Sequence, residues 1–192
     1  MFYNAFPSDL RENLNKVIEA MPNDTFNNVP FAASDDMIAY TLENHVVAIP
    51  YRMFLLDIAD AEYEKLSQPQ KQILCCIYTR NCDGYVREKY LRKLLDMPIE
   101  QWVIPFVVKL CDEYVLEILE IIYDKLKERD NTDIQGFCLR NKVSISKSYS
   151  RMISYWNEYY RGCELNFRQY IGRKLFRECL GYDRTFERSI QT

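Results

Sequence analysis

Glu113, Glu117, Glu120 and Asp124 recur at i, i+4, i+7 and i+11, a spacing that sets four carboxylates on one face of a helix. Such a row can trade protons with a substrate or hold a hard cation. Far more often it faces water, and next most often it meets a basic partner. The row therefore reads as an acidic face for a partner protein.

His45 is the only histidine of the 192 residues. Catalysis of the Ser-His-Asp or Cys-His kind would have to run through it, yet no serine or cysteine motif stands near it. The phosphate-cradling GxxxxGK, the dinucleotide GxGxxG, the nucleophile elbow GxSxG and the zinc motif HExxH do not occur in the sequence. Seven cysteines stand at 75, 76, 82, 111, 138, 163 and 179, with no C-x-x-C pair. With a single histidine they do not make a zinc set. Apolar neighbours mark most of them as reduced core thiols, which fits a cytoplasmic protein. No catalytic residue, metal site or cofactor is expected, and the balance is against an enzyme.

Charge divides the chain. Residues 140–192 carry eleven Lys and Arg against five Asp and Glu, a surplus of six positive charges. The remaining residues carry fourteen against twenty-three, a surplus of nine negative charges, so the net is −3. A basic, aromatic-rich end is one footprint of nucleic-acid binding. Arg151, Arg161, Arg168, Arg173, Lys174 and Arg177 are its candidate contacts: guanidinium groups would meet phosphates and rings would stack on bases. The plainer reading is that this end docks on the acidic body or faces water.

The elements that position these residues are mostly helices. From Ile73 to Lys125 the apolar spacing predicts four in a row. Ser67 caps the first, with Pro69 in its first turn. Asn81, Asp83 and Gly84 turn the chain, with Gly84 the expected left-handed residue. Tyr90, Leu91, Leu94 and Leu95 line the second helix, which Pro98 closes. Pro105 either bends a third helix that begins near Ile99 or lies in the first turn of one that begins at about Gln101. The fourth is expected from Glu113 to Glu128. Upstream, residues 8–21 form an amphipathic helix capped by Ser8, and residues 23–30 a polar loop. Residues 37–51 alternate with period two around Glu43-Asn44, the mark of a β-hairpin. Downstream come a short helix through Phe137, a loop near Asn141, a long helix from Ser146 to Arg161, and a last one from about Leu165 to Leu180. Beyond that the chain is expected to fray.

Five glycines and seven prolines favour helices over a many-turned β architecture. The chain is long enough to bury a core without staples. No uninterrupted apolar run reaches the about 18 residues of a membrane span, and the first residues lack the basic and apolar regions of a signal peptide. Tyr, Phe and Trp number fifteen, ten and two, and Tyr and Trp suit interfaces as well as cores. They mix with arginine in the runs IPYR (49–52), YTRNCDGYVREKYL (78–91), EQWVIPFVVKL (100–110) and SRMISYWNEYYRG (150–162).

Those runs, with FRQYIG (167–172), resemble an uncharacterised family of small bacterial proteins of about this size. The resemblance covers roughly residues 49–172 and implies a bacterial cytoplasmic origin, with no reaction, ligand or partner attached. GYVREKYLRKLL (84–95) is also similar to the second helix of a HEAT-type repeat.

The expected fold is mainly α: one helical domain over residues 1–192, with an acidic body at 1–139 and basic helices at 140–192. It is a bundle of antiparallel helix pairs, HEAT-like in the alternative, with one small β-hairpin near residues 38–49. The expected function is a non-catalytic protein-interaction module. An immunity or antitoxin-like role, in which an acidic face covers a basic cleft, is its concrete form. Nucleic-acid binding through the basic helices is the alternative. No membrane partner is expected.

Overall fold

A computed structural model describes residues 2–22, 32–33, 36–162 and 166–190. The protein is mainly α with a small β-hairpin. The loop expected at 23–30 and Cys163 lie outside the described residues. Residues 1–40 with 45–106 form one compact unit, and residues 41–44 with 107–192 form a second.

In the first unit α1 (Arg11–Ala20) buries Leu14 and Val17 and packs on α3 (Gln68–Tyr78). Helix α3 begins where the sequence places it. Ser67 and Gln70 form a reciprocal capping box, and the Ser67 N–H donates to Gln70 Oε1 at 2.9 Å. Its residues Ile73 to Tyr78 are all buried. Short α2 (Asp60–Lys65) precedes it, and α4 (Gly84–Leu95) follows and packs against it.

The turn between α3 and α4 departs from expectation. Gly84 is not left-handed; among the described glycines only Gly181 has a positive φ, at 71°. Asp83 instead caps α4, its Oδ1 accepting the Tyr85 N–H at 2.8 Å, so Gly84 is simply the first helical residue. Arg87 is buried and turns its Nη1 back to donate to the carbonyls of Asn81 (2.9 Å) and Cys82 (3.0 Å). Side chain thus satisfies backbone where the chain reverses.

Strands β2 (Met37–Leu42) and β3 (His45–Pro50) make the hairpin, joined by Glu43 and Asn44, with Glu43 at φ 51°. Tyr40, Leu42, Val47 and Ile49 bury one face, and β3 rests on the turn Phe2–Asn4. Strands β1 (Ala32–Ala33) and β4 (Met53–Phe54) pair antiparallel. Met53 also ties this pair to the turn after α3. Its N–H donates to the Arg80 carbonyl at 2.8 Å, and its own carbonyl accepts the Cys82 N–H at 2.7 Å. Tyr78 stacks on Tyr90 at 4.5 Å, and the Tyr90 hydroxyl donates to Asp57 at 2.6 Å.

A 3₁₀ turn at Gln101–Val103 leads into α5 (Ile104–Leu110), which places Pro105 in the first helical turn and not in the middle of a longer helix. The unit boundary falls inside α5.

The second unit holds α6 (Leu116–Leu126), α7 (Thr132–Arg140), α8 (Lys142–Tyr155), α9 (Ile171–Lys174) and α10 (Arg184–Ile190). Helix α6 buries Ile118, Leu119, Ile122 and Leu126 and packs on α9; α8 meets α7, α9 and α10. Helices α8 and α9 each continue into a π-turn, Trp156–Tyr160 and Leu175–Cys179. Asn141 breaks the chain between α7 and α8, close to the expected loop.

Several ends differ from the sequence reading. Ser8 lies in a 3₁₀ turn and does not cap α1, α6 starts at Leu116 rather than Glu113, and α8 starts at Lys142 rather than Ser146. The last long helix starts at Ile171 rather than near Leu165, because the Asn166 side chain accepts the Arg168 N–H at 2.9 Å and holds a turn there. Residues Arg184–Ile190 form α10 where fraying is expected from the sequence. Asp183 Oδ1 accepts the Phe186 N–H at 2.8 Å, and the buried Phe186 anchors α10.

Candidate interaction surface

The most charged interior of the second unit lies between α5 and α8. Lys109, Asp112 and Glu113 are each about 2% exposed. Lys109 sits in the last turn of α5, where a cation also meets the helix's unsatisfied carbonyls. Its ammonium donates to Asp112 Oδ1, and Arg151 Nη1 of α8 donates to Asp112 Oδ2 at 2.5 Å. One buried carboxylate is thus bracketed by two cations, the condition under which a buried charge is tolerated.

Tyr114 emerges directly from this cluster and is 46% exposed; Tyr159 on the π-turn is 53% exposed. Their ring centroids lie 5.8 Å apart. Tyr155 completes a triangle, 5.8 Å from Tyr114 and 6.2 Å from Tyr159. The Tyr160 hydroxyl donates to the Tyr114 carbonyl at 2.5 Å, pinning the loop to the π-turn. Arg151 and Tyr155 stand at i and i+4 on α8, and Tyr159 follows on the π-turn. The wider π-turn shifts where the next tyrosines point, a feature often found at functional sites. The result is a tyrosine face on a rigid ionic base.

The carboxylate row does not form as one face. Glu113 lies before α6 and is buried, whereas Glu117, Glu120 and Asp124 are on α6 and exposed. Asp124 is spent on Lys127 at 2.7 Å. Glu117 and Glu120 remain as an exposed acidic pair one helical step apart.

The basic candidates divide likewise. Arg151 is held by Asp112. Arg161 and Arg168 are exposed, and Arg173, Lys174 and Arg177 are half-buried. Among the described residues no carboxylate comes within ion-pair distance of these five. Arg168 and Arg173 do meet: Arg173 Nη1 donates to the Arg168 carbonyl at 3.4 Å.

His45 is exposed at the start of β3. Cys75, Cys76, Cys111, Cys138 and Cys179 are buried, and Cys82 is half-buried. Burial pushes the Cys138 thiol up to about 12 and the Cys179 thiol, with help from Glu178, up to about 11. These are core thiols and not nucleophiles. Among the described residues no three His, Cys, Asp or Glu side chains are grouped to hold a metal ion, and no helix is long and apolar enough to cross a membrane.

The tyrosine face was present in the sequence as the run SRMISYWNEYYRG and the i, i+3 pair Lys109/Asp112. The link between them, Arg151 to Asp112, is a tertiary contact that spacing does not encode. No protein-family model, curated protein or solved structure matches the chain.

Proposed function

We propose that the protein is a non-catalytic interaction module that binds another protein through the tyrosine face of its second unit. The observation that carries this reading is the contact triangle of Tyr114, Tyr155 and Tyr159 over the Lys109–Asp112–Arg151 base. Tyrosine and arginine dominate binding hot spots, because a rigid ring gives much contact area for little lost freedom. The ionic base holds the rings before a partner arrives, which lowers the ordering cost of association. An immunity or antitoxin-like role, in which Glu117 and Glu120 meet the basic cleft of a partner, is the concrete form. Nucleic-acid binding is the alternative, and it draws on a different set of side chains.

Photocrosslinking tests the reading. A benzoylphenylalanine at position 159 or 114, in cells of the source organism, should give the same discrete protein adduct. Position 46, where Val46 is 67% exposed on the hairpin, should not give it. Adducts at 159 and 114 that match those at 46, or that contain no protein, overturn it.

A further inference from the structure

Beyond the tyrosine face, α9 and its π-turn gather cations around rings. The Arg173 guanidinium lies 5.8 Å from the centre of Phe167, and Phe167 packs on Trp156 at 4.9 Å. Arg173 and Arg177 are one turn apart and both act on Tyr149 of α8. Burial raises the Tyr149 phenol, and the positive fields of Arg177 and Arg173 oppose that rise. Arg168 stands next to Phe167 and is exposed. Among the described residues no acid comes within ion-pair distance of these cations. Glu178 accepts the Tyr123 hydroxyl at 2.6 Å, and Asp183 caps α10. Glu187 is the acid whose field reaches Tyr149, and Glu158 is exposed on the π-turn.

We infer that this strip binds the backbone of a single-stranded nucleic acid. Arg168, Arg173 and Arg177 meet successive phosphates, and the half-buried rings of Trp156 and Phe167 offer stacking faces to unpaired bases. Cations alone would suit any polyanion. Rings interleaved with guanidinium groups favour bases, and favour them unpaired, since a duplex keeps its base faces stacked on one another. This surface draws on other side chains than the tyrosine face, although both share the π-turn Trp156–Tyr160.

The test is fluorescence anisotropy with a labelled oligo(dT) of roughly 20 nucleotides, its duplex, and a poly-glutamate competitor of equal charge. The single strand should bind and weaken with salt along a log–log slope of about −2, as three phosphate contacts require. Arg173→Glu with Arg177→Glu should weaken binding by at least about tenfold and flatten the slope. If circular dichroism shows that variant misfolded, Arg173→Gln with Arg177→Gln serves in its place. Tyr85→Ala, at an 86% exposed ring of the first unit, should leave binding unchanged. Trp156→Phe should remove any quenching of tryptophan fluorescence by the oligonucleotide while Trp102 still emits. Undetectable binding at low salt, equal affinity for the duplex, or equal competition by poly-glutamate overturns the inference; the last outcome would reassign the strip to an acidic protein.

Discussion

The side-chain amide of Asn141 pairs with the main chain of Thr41 as a neighbouring strand would. The Thr41 N–H donates to Asn141 Oδ1 at 2.7 Å, and Asn141 Nδ2 donates to the Thr41 carbonyl at 2.8 Å. The same Nδ2 reaches the Phe137 carbonyl at 2.9 Å at the end of α7. One side chain therefore closes a helix and occupies part of a strand edge that would otherwise be open to another chain.

Asn141→Ala should lower stability by about 1–3 kcal/mol, since it strands backbone groups at both ends. Asn141→Asp should cost at least as much, because a carboxylate would face the Thr41 carbonyl with no proton to give. Urea denaturation of the two variants checks this. A midpoint unchanged in both would mean that water replaces the amide without loss.

Asp112→Ala leaves the Lys109 ammonium in the interior without its carboxylate. A loss of about 3–5 kcal/mol is expected. Replacing Lys109, Asp112, Glu113 and Arg151 together by Met, Leu, Gln and Met should cost less than the single change, since no charge of the cluster is then stranded. If this fourfold variant is the less stable one in thermal unfolding, the ionic base contributes more than its own compensation.

The core thiols give a pH dependence with a definite sign. Burial, the largest cause in each case, lifts Cys75 and Cys138 from 9.0 to about 12, and lifts Cys179 from 9.0 to about 11. The unfolded chain loses these protons first. Stability is therefore intact below pH 9 and falls as pH rises from 9 through 11–12. Alkaline unfolding followed by circular dichroism should show that fall. At pH near 8, Ellman's reagent should modify Cys82 well before the other described cysteines.

Two glycines should respond oppositely to alanine. A Cβ at Gly172 would lie 2.7 Å from the Tyr170 ring and 2.9 Å from Met152 Cγ, so Gly172→Ala should cost about 1–3 kcal/mol. At Gly84 the nearest neighbour would be Arg87 Nη2 at 3.7 Å, and φ is not positive. Gly84→Ala should be neutral or stabilise by up to about 1 kcal/mol. Melting temperatures of the pair decide it; a destabilised Gly84→Ala would restore a left-handed turn at that position.

Local chemistry was legible in the sequence wherever neighbours in the chain decide the structure. Ser67, Gln70 and Pro69 set the start of α3, and the alternation around Glu43-Asn44 set the hairpin. What failed was decided by burial and by side chains that took turns and caps. Glu113 has helical spacing to Glu117, but it is buried and lies before the first residue of α6. Phe167 has helical spacing to Ile171, but Asn166 spends its side chain on a turn. Gly84 looked like a turn residue because glycine so often is one; Asp83 made that unnecessary. The tyrosine face was half legible, since Arg151 and Tyr155 stand at i and i+4 on α8, while Tyr159 on the π-turn, Asp112 and Tyr114 reach it only through the fold.

Residues 41–44 group with residues 107–192 and not with the rest of their own hairpin. No single cut of the gene can therefore separate the two units: a fragment that starts at 107 lacks Thr41, and one that ends at 106 carries the hairpin tip without Asn141. The same order holds during synthesis. The hairpin leaves the ribosome a hundred residues ahead of the amide that pairs with it, so through most of translation the tip of β2 is an open edge, and the chain is most exposed to strand-to-strand association before it is complete.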